Sequence, residues 1–160
     1  MPEAAILFVC AANRCRSPLA AALLRRLLSE QPGEVVGDVA WRIESAGLYA
    51  LPGLPATPWV QAAAQEAGLD LSQHRSRPID QVQLDDYALV LAMEEVQAEA
   101  LIAAHPAQAG HIHPLGWLVN LRVDIEDPTG RGLREHRALC QVLTSYLQAG
   151  LPRLLQTVAS

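Results

Sequence analysis

A continuous apolar run near the start of the chain leads through a short loop into an amphipathic helix. Residues 4–9 (AAILFV) have the length of a buried strand, and leucines at 19, 23, 24, 27 and 28 form one stripe of a helix that extends to about residue 30. Ser17 is a preferred helix N-cap and Pro18 suits the first helical position, so we expect the helix to begin there. A strand this apolar is typical of a parallel sheet covered on both faces.

The rest of the chain continues this alternation of strands and helices. Further strands are predicted at residues 41–46, 87–93 and 111–115. Helices are predicted at 57–67, 94–104 and 132–149, and we expect Gly150 and Pro152 to interrupt the last one. The chain shows no repeat, low-complexity tract or internal linker, so we predict a single α/β domain with a parallel sheet between helices.

Composition excludes several classes of protein. All 12 basic residues are arginine, which rules out chemistry that needs a lysine amine, such as a Schiff base or a Walker-type nucleotide site. The net charge of -5 provides no excess of positive charge that would favour binding to nucleic acid or to an anionic membrane. No secretory signal or membrane span is predicted, so we expect a cytoplasmic protein with reduced thiols. The five histidines match no zinc-ligand pattern, and we expect neither metal nor cofactor.

The loop after the first strand carries the most specific chemical signal. In such sheets ligands bind at the carboxyl ends of strands, where Cys10 lies, and Arg16 follows after five residues. Backbone N–H groups of this loop can turn toward an anion, and Asn13 tolerates the left-handed conformation that a tight turn requires. The helix N-terminus and the guanidinium favour the thiolate form of Cys10. The pattern indicates attack of Cys10 on phosphorus, with Arg16 holding the oxygens and Ser17 donating to the sulfur.

Hydrolysis of a phosphomonoester also needs an acid for the leaving oxygen, on a separate segment. Asp127 precedes Pro128 in VDIEDPTGRG, where two glycines indicate a loop. An acid there can protonate the leaving group and then deprotonate the water that attacks phosphocysteine. From the residues alone, Asp124 and Glu126 remain rival acids, and an Asp-Pro pair is also typical of a simple turn.

The segment CAANRCRSP resembles the signature C-x-x-N-x-C-R-S-P of the low-molecular-weight protein tyrosine phosphatase family. The downstream segments SAG, GLDLSQHRSR, LVLAM and EDP follow in the order of that family and extend the resemblance over nearly the whole chain. The resemblance implies a single phosphatase domain over residues 1–160, with a four-stranded parallel sheet flanked by helices on both faces, flavodoxin-like or Rossmann-like. It implies that Cys10 is the nucleophile, Arg16 the phosphate clamp and Asp127 the general acid and base, which selects among the three carboxylates.

The resemblance also implies a set of supporting residues and partners. It implies that His74 joins the hydrogen-bond network of the loop. It also implies that Cys15 matches a second loop cysteine, which in relatives can trap the nucleophile as a reversible disulfide under oxidation. A space-filling role for Cys15 is the alternative. We expect a phosphotyrosine protein as substrate and inorganic phosphate or another oxyanion as product or inhibitor, without nucleic-acid or membrane partners. The predicted phosphate-binding loop consists of Ala11, Ala12, Asn13, Arg14, Cys15 and Ser17 around the clamp.

Two departures from the family pattern concern the substrate. Arg14 stands where relatives that act on phosphotyrosine have an aliphatic residue and those that act on phosphoarginine a threonine, so we expect it to repel phosphoarginine. Thr129 replaces an aromatic residue after the Asp-Pro pair, and Tyr49 is a candidate for the missing wall of the substrate pocket. Three alternatives remain: a protein-arginine phosphatase, a catalytically weak phosphate-binding module, and an arsenate reductase, although no cysteine occurs between residues 80 and 106.

Overall fold

The sheet has four strands and all of them run parallel, as the resemblance implies. The structure is a computed structural model that describes residues 3–159; residues 1, 2 and 160 of the predicted domain lie outside the described range. The strands predicted at 87–93 and 111–115 are shorter than expected. The strands are β1 (Glu3–Cys10), β2 (Ala40–Gly47), β3 (Leu89–Ala92) and β4 (Ile112–Pro114). They lie in the sheet in the order β2-β1-β3-β4. The helices are α1 (Arg16–Ser29), α2 (Gly33–Val36), α3 (Pro58–Glu66), α4 (Glu95–Ala104) and α5 (Leu133–Ala159).

Helices cover both faces of the sheet, which explains why β1 is apolar throughout. Ile6 and Phe8 face a core that includes residues of α1, α3 and α5, whereas Leu7 and Val9 face a smaller core that includes residues of α4. Because neighbouring residues of a strand point to opposite faces, a strand between two helical layers needs apolar side chains at every position.

The chain reverses its direction of travel across the sheet between β1 and β3. From β1 it crosses to β2 on one side, and it then returns to place β3 on the other side. Ligands of such sheets bind in the crevice at this switch point, outside the carboxyl ends of the two strands. Two backbone hydrogen bonds extend the crevice: Met93 N donates to Val9 O (2.9 Å), and Ile125 N donates to Met93 O (2.9 Å). The second bond brings the segment that precedes α5 to the same edge of the sheet.

The first helix begins earlier than predicted. Cys15 is its N-cap residue and donates no side-chain cap, so Ser17 lies in the first turn and is not the cap. Pro18 is still tolerated because the first N–H groups of a helix have no partner within the helix. The Ser17 hydroxyl is consequently available for contacts with the loop.

The last helix does not stop at Gly150 or Pro152, contrary to the prediction, but continues to Ala159. Gly150 is a packing residue: a Cβ built there would lie 2.5 Å from Cβ of Leu118. Leu151 and Leu154 beyond it are buried, and their packing maintains the helix through the proline. No helix within residues 3–159 is long and apolar enough to span a membrane.

Candidate active site

The loop after β1 turns its carbonyl groups outward. The carbonyl oxygen of Cys10 accepts from Leu48 N (3.0 Å) and that of Ala11 from Tyr49 N (2.9 Å). Those of Asn13 and Arg14 accept from His74 Nε2 (2.7 Å) and Thr57 N (2.9 Å). A peptide's N–H points opposite to its C=O, so the N–H groups that follow these four carbonyls face the interior of the loop. None of those four N–H groups finds an acceptor within residues 3–159, which leaves them free for an anion.

Asn13 is the centre of the loop's hydrogen bonds. It adopts the predicted left-handed conformation (φ 57°) and is fully buried. Its Nδ2 donates to Ser17 Oγ (2.8 Å) and Ser45 Oγ (2.9 Å), and its Oδ1 accepts from Arg77 N (2.9 Å). Gly47, at the end of β2, permits this close approach, since a Cβ there would lie 2.9 Å from Asn13 N. Three separate segments thereby hold the loop in one conformation.

Cys10 lies at the base of this loop and is buried, with a residue exposure of 3%. Its sulfur is 2.9 Å from Ser17 Oγ. Because Ser17 Oγ accepts from the Asn13 amide, its own hydrogen is available to donate to the sulfur. The geometry thus agrees with the predicted Ser17–sulfur hydrogen bond. Such a bond stabilises negative charge on the sulfur.

Arg16 is buried and held by one edge of its guanidinium. Nη1 donates to Glu94 Oε2 and to the carbonyl oxygen of Ile125, both at 2.7 Å. Nε and Nη2 make no hydrogen bond within the described chain, and Nη2 lies 3.6 Å from Asp127 Oδ2. The free edge has the planar fork geometry that binds two oxygens of one phosphate.

Sequence reasoning missed Glu94, the carboxylate that anchors Arg16. Its position directly after a buried strand was a usable signal, because β3 lies next to β1 and their carboxyl ends meet at one edge. Glu94 is also the N-cap of α4, where it forms a reciprocal capping box with Gln97. One side chain therefore connects the first turn of a helix to the guanidinium.

Of the three rival carboxylates, the structure brings only Asp127 to the loop. Its Oδ1 accepts from Thr129 N (3.1 Å) and Thr129 Oγ1 (2.7 Å). Burial raises the pKa of Asp127, but the Thr129 hydrogen bonds and the charge of Arg16 outweigh it and hold that pKa below its ordinary value. Asp124 instead accepts from Glu95 N (2.9 Å), and Glu126 is exposed, 3.7 Å from Arg131.

A small open cavity of about 100 Å³ brings the predicted catalytic residues together. Of the predicted wall residues, Arg14 and Thr129 line it, whereas Tyr49 does not and has a residue exposure of 80%. Thr57 was not predicted; its buried hydroxyl has no nitrogen or oxygen partner and lies against the Cys15 thiol. The cavity is lined by Cys10, Ala12, Arg14, Cys15, Arg16, Thr57, Asp127 and Thr129.

His74 supports the loop from outside the cavity. Its Nε2 must be protonated to donate to the Asn13 carbonyl at 2.7 Å. Burial lowers the pKa of His74, and the charges of Arg25 and Arg75 lower it further, against the opposing effect of the Asn13 hydrogen bond. The neutral ring with hydrogen on Nε2 is the form this environment favours.

Cys15 differs from Cys10 in its surroundings. Burial raises the pKa of its thiol to about 12, and the neighbouring Asp127 and Cys10 act in the same direction. Cys15 therefore stays protonated at neutral pH. Cys10, Cys15 and Cys140 are all free thiols in the structure.

A thiol at the base of inward N–H groups, beside an anchored guanidinium and a carboxylate, has the parts needed for phosphoryl transfer through sulfur. On a parallel α/β sheet these features define the class of cysteine-dependent phosphatases. The family model described as low molecular weight phosphotyrosine protein phosphatase matches residues 5–159. The chain belongs to this family and is a hydrolase.

Relatives of known name agree over nearly the full chain. The probable low molecular weight protein-tyrosine-phosphatase EpsP of Ralstonia nicotianae is 34% identical over 149 residues, 93% of this chain and 94% of the relative. The structure of YwlE arginine phosphatase from Geobacillus stearothermophilus has a TM-score of 0.81 and 31% identity, and the match covers 96% of this chain and 94% of that one. Tyrosine phosphatase Wzb from Escherichia coli K30, solved with sulphate, has a TM-score of 0.76 and 29% identity over 95% and 96% of the two chains.

Proposed function

We propose that this phosphatase hydrolyses phosphotyrosine in proteins through a phosphocysteine intermediate on Cys10. The observation that carries the proposal is the free edge of Arg16, in a cavity that also holds the Cys10 sulfur and the Asp127 carboxylate. The inward N–H groups and the Arg16 fork would bind the three non-bridging oxygens of the phosphate. The sulphate bound by the relative Wzb is an oxyanion of the same shape and supports such a site here.

In the first step, the Cys10 thiolate attacks phosphorus and the phosphorus–oxygen ester bond breaks. Its electron pair goes to the leaving oxygen, which takes a proton from Asp127. In the second step, the Asp127 carboxylate takes a proton from water, the water oxygen attacks phosphorus, and the phosphorus–sulfur bond breaks. The electron pair returns to sulfur, where the Ser17 hydroxyl stabilises it, and inorganic phosphate leaves.

Asp127 must be protonated for the first step, although its pKa is held low in the ligand-free structure. A phosphate dianion in the loop places negative charge beside the carboxyl and partly neutralises the effect of Arg16. Both changes favour the protonated form. The acid is thus formed when substrate binds.

Hydrolysis of para-nitrophenyl phosphate without added metal tests the mechanism. We expect activity to vanish in Cys10→Ser and to collapse in Arg16→Ala, while Asp127→Ala loses kcat more than phosphate affinity. Cys140→Ser is the matched control, because Cys140 lies on α5, away from the cavity, and should leave the rate unchanged. Turnover by Cys10→Ser at the wild-type rate would exclude the mechanism, and an inert wild type that binds phosphate would favour a binding module.

A protein-arginine phosphatase is the second candidate, supported by the similarity to the Geobacillus stearothermophilus enzyme. Arg14 opposes it, because this cationic residue lines the cavity and would repel the guanidinium of phosphoarginine. We expect kcat/KM for a phosphotyrosine peptide to exceed that for the matched phosphoarginine peptide. A higher kcat/KM for the phosphoarginine peptide would mean that the protein is a protein-arginine phosphatase.

We further propose that the protein acts in the cytoplasm on phosphorylated protein substrates. The mechanism requires Cys10 as a free thiol. A second free thiol, Cys15, lines the same cavity, and a reducing compartment keeps the two from forming a disulfide. Measuring the thiol state of the protein in rapidly acid-quenched cells tests this; a stable Cys10–Cys15 disulfide under normal growth would contradict it.

A further inference from the structure

Arg14 presents an unused cationic group at the edge of the cavity. Its Nε donates to the carbonyl oxygen of Pro55 (2.8 Å), and its own carbonyl oxygen accepts from Thr57 N (2.9 Å). These two contacts hold the side chain and its backbone against the loop that precedes α3. The two terminal nitrogens of Arg14 have no acceptor within residues 3–159, although the residue is half-buried and lines the cavity.

The cavity itself offers no counter-ion for this guanidinium. Asp127 is the one carboxylate among its described lining residues, and its oxygens are already engaged by Thr129 and by the charge of Arg16. The phosphate of the substrate would be bound by the inward N–H groups of the loop and by Arg16. The Nε of Arg14 is already bonded to the carbonyl oxygen of Pro55, outside the loop. Its two terminal nitrogens are therefore available to an acceptor on the bound substrate, at the edge of the cavity.

We propose that Arg14 selects phosphotyrosine substrates with an aspartate or glutamate immediately beside the phosphorylated residue. This proposal rests on the proposed tyrosine phosphatase activity. A carboxylate is the planar two-oxygen acceptor that matches the two terminal nitrogens of a guanidinium. The polypeptide on either side of a phosphotyrosine must cross the rim of the cavity, and Arg14 stands there already oriented, which lowers the entropy cost of pairing.

The expected preference is modest because the pair is open to solvent. Exposed ion pairs change affinity only slightly, which corresponds to about two- to fivefold in kcat/KM. The preference should weaken as salt concentration rises from about 0.05 M to 0.5 M, since the charges are screened over a shorter distance. A preference due to apolar contact would not weaken in this way.

The test compares kcat/KM for two phosphotyrosine peptides that differ only in their flanking residues, glutamate or glutamine. We expect the wild type to prefer the glutamate peptide and Arg14→Gln to remove the preference. The rate on para-nitrophenyl phosphate, which has no flank, is measured for both enzymes, so that a general loss of activity in Arg14→Gln is separated from the loss of preference. Arg134→Gln is the matched control: the same charge is lost from an exposed residue outside the cavity lining, and the preference should persist.

Three results would overturn the inference. Equal kcat/KM for both peptides in the wild type would show that the enzyme does not distinguish a charged flanking residue from a neutral one. A preference that survives in Arg14→Gln would assign it to another residue. An equal loss in Arg14→Gln for peptides, para-nitrophenyl phosphate and inorganic phosphate would place Arg14 on the phosphate itself. Failure to hydrolyse any phosphotyrosine peptide would instead refute the proposed function, so the two failures are distinguishable.

Discussion

Glu94 shows how one side chain serves both a helix and the proposed clamp. Its carboxylate anchors Arg16 at 2.7 Å and also caps α4. Glu94→Asn keeps a good N-cap residue but is one methylene shorter, so it no longer reaches the guanidinium. We expect kcat/KM for para-nitrophenyl phosphate to fall about tenfold or more, the effect of losing a charged hydrogen bond to a buried group.

Gln97→Ala is the control for the Glu94 prediction. It removes the other half of the capping box and leaves the Arg16 contact in place. Its free energy of unfolding should decrease slightly while kcat/KM stays near the wild-type value. Equal losses of kcat/KM in the two variants would mean that α4, and not the anchoring of Arg16, determines the effect.

Thr129 sets the acidity of Asp127 through two hydrogen bonds to Oδ1. Thr129→Val removes the hydroxyl donor, and since that bond lowers the pKa of Asp127, the pKa should rise. The carboxyl then stays protonated to higher pH, so the alkaline limb of the kcat/KM profile should move upward. Thr129→Ser keeps the hydroxyl and should not move it; a downward shift in Thr129→Val would contradict the assignment of Asp127 as the acid.

At the scale of elements, α5 shows where a local pattern misleads. Gly150 and Pro152 are both helix-breaking residues by propensity, yet the helix passes through them because Leu151 and Leu154 pack into the core. Tertiary packing exceeds the local penalty here, and no pattern within the helix reports the presence of Leu118 against Gly150.

Pro152→Ala should raise the melting temperature by several degrees. The substitution restores an N–H that can donate within the helix. Because Pro152 is exposed, removal of its ring leaves no cavity in the core. Gly150→Ala should have the opposite effect, although alanine is the better helix former, because its Cβ would lie 2.5 Å from Leu118. Both are measured by thermal unfolding, and a rise in Gly150→Ala would show that the helix end adjusts freely.

The elements also differ in how much of the site their sequence reveals. The loop from Cys10 to Ser17 is contiguous, so its composition predicts both the anion-binding conformation and the left-handed Asn13. Glu94 and Thr57 reach the site from distant parts of the chain, and their roles depend on strand order and on the course of the loop before α3. The helix start was wrong by two residues because Ser17 bonds to the loop rather than to the helix.

For the whole molecule, ionisable groups predict how stability depends on pH. The pKa of Glu44, Asp70 and Asp127 is lowered, so their contribution is present above the ordinary carboxyl pKa and is lost as pH falls through the folded value. The pKa of His74 and His113 is lowered chiefly by burial; the unfolded chain then binds more protons below about pH 6.5, which also favours unfolding.

We therefore expect the free energy of unfolding to decrease in two stages on acidification, first between about pH 7 and 5.5 and again below about pH 4.5. Urea unfolding at a series of pH values measures it. His74→Gln should reduce the slope of the first stage and leave the second unchanged. A free energy of unfolding that increases between pH 7 and 5.5 would contradict the neutral state of the buried histidines.

The outward carbonyls of the loop have a consequence for how an anion enters. Each is already bonded to a neighbouring segment, so the inward N–H groups are aligned before any ligand arrives. The conformational entropy of ordering this loop is lost during folding and not during binding. Association should accordingly be a single fast step without a slow loop-ordering phase, and recognition of everything beyond the phosphate is left to the rim, where a few side chains can change the substrate while the ordered loop stays the same.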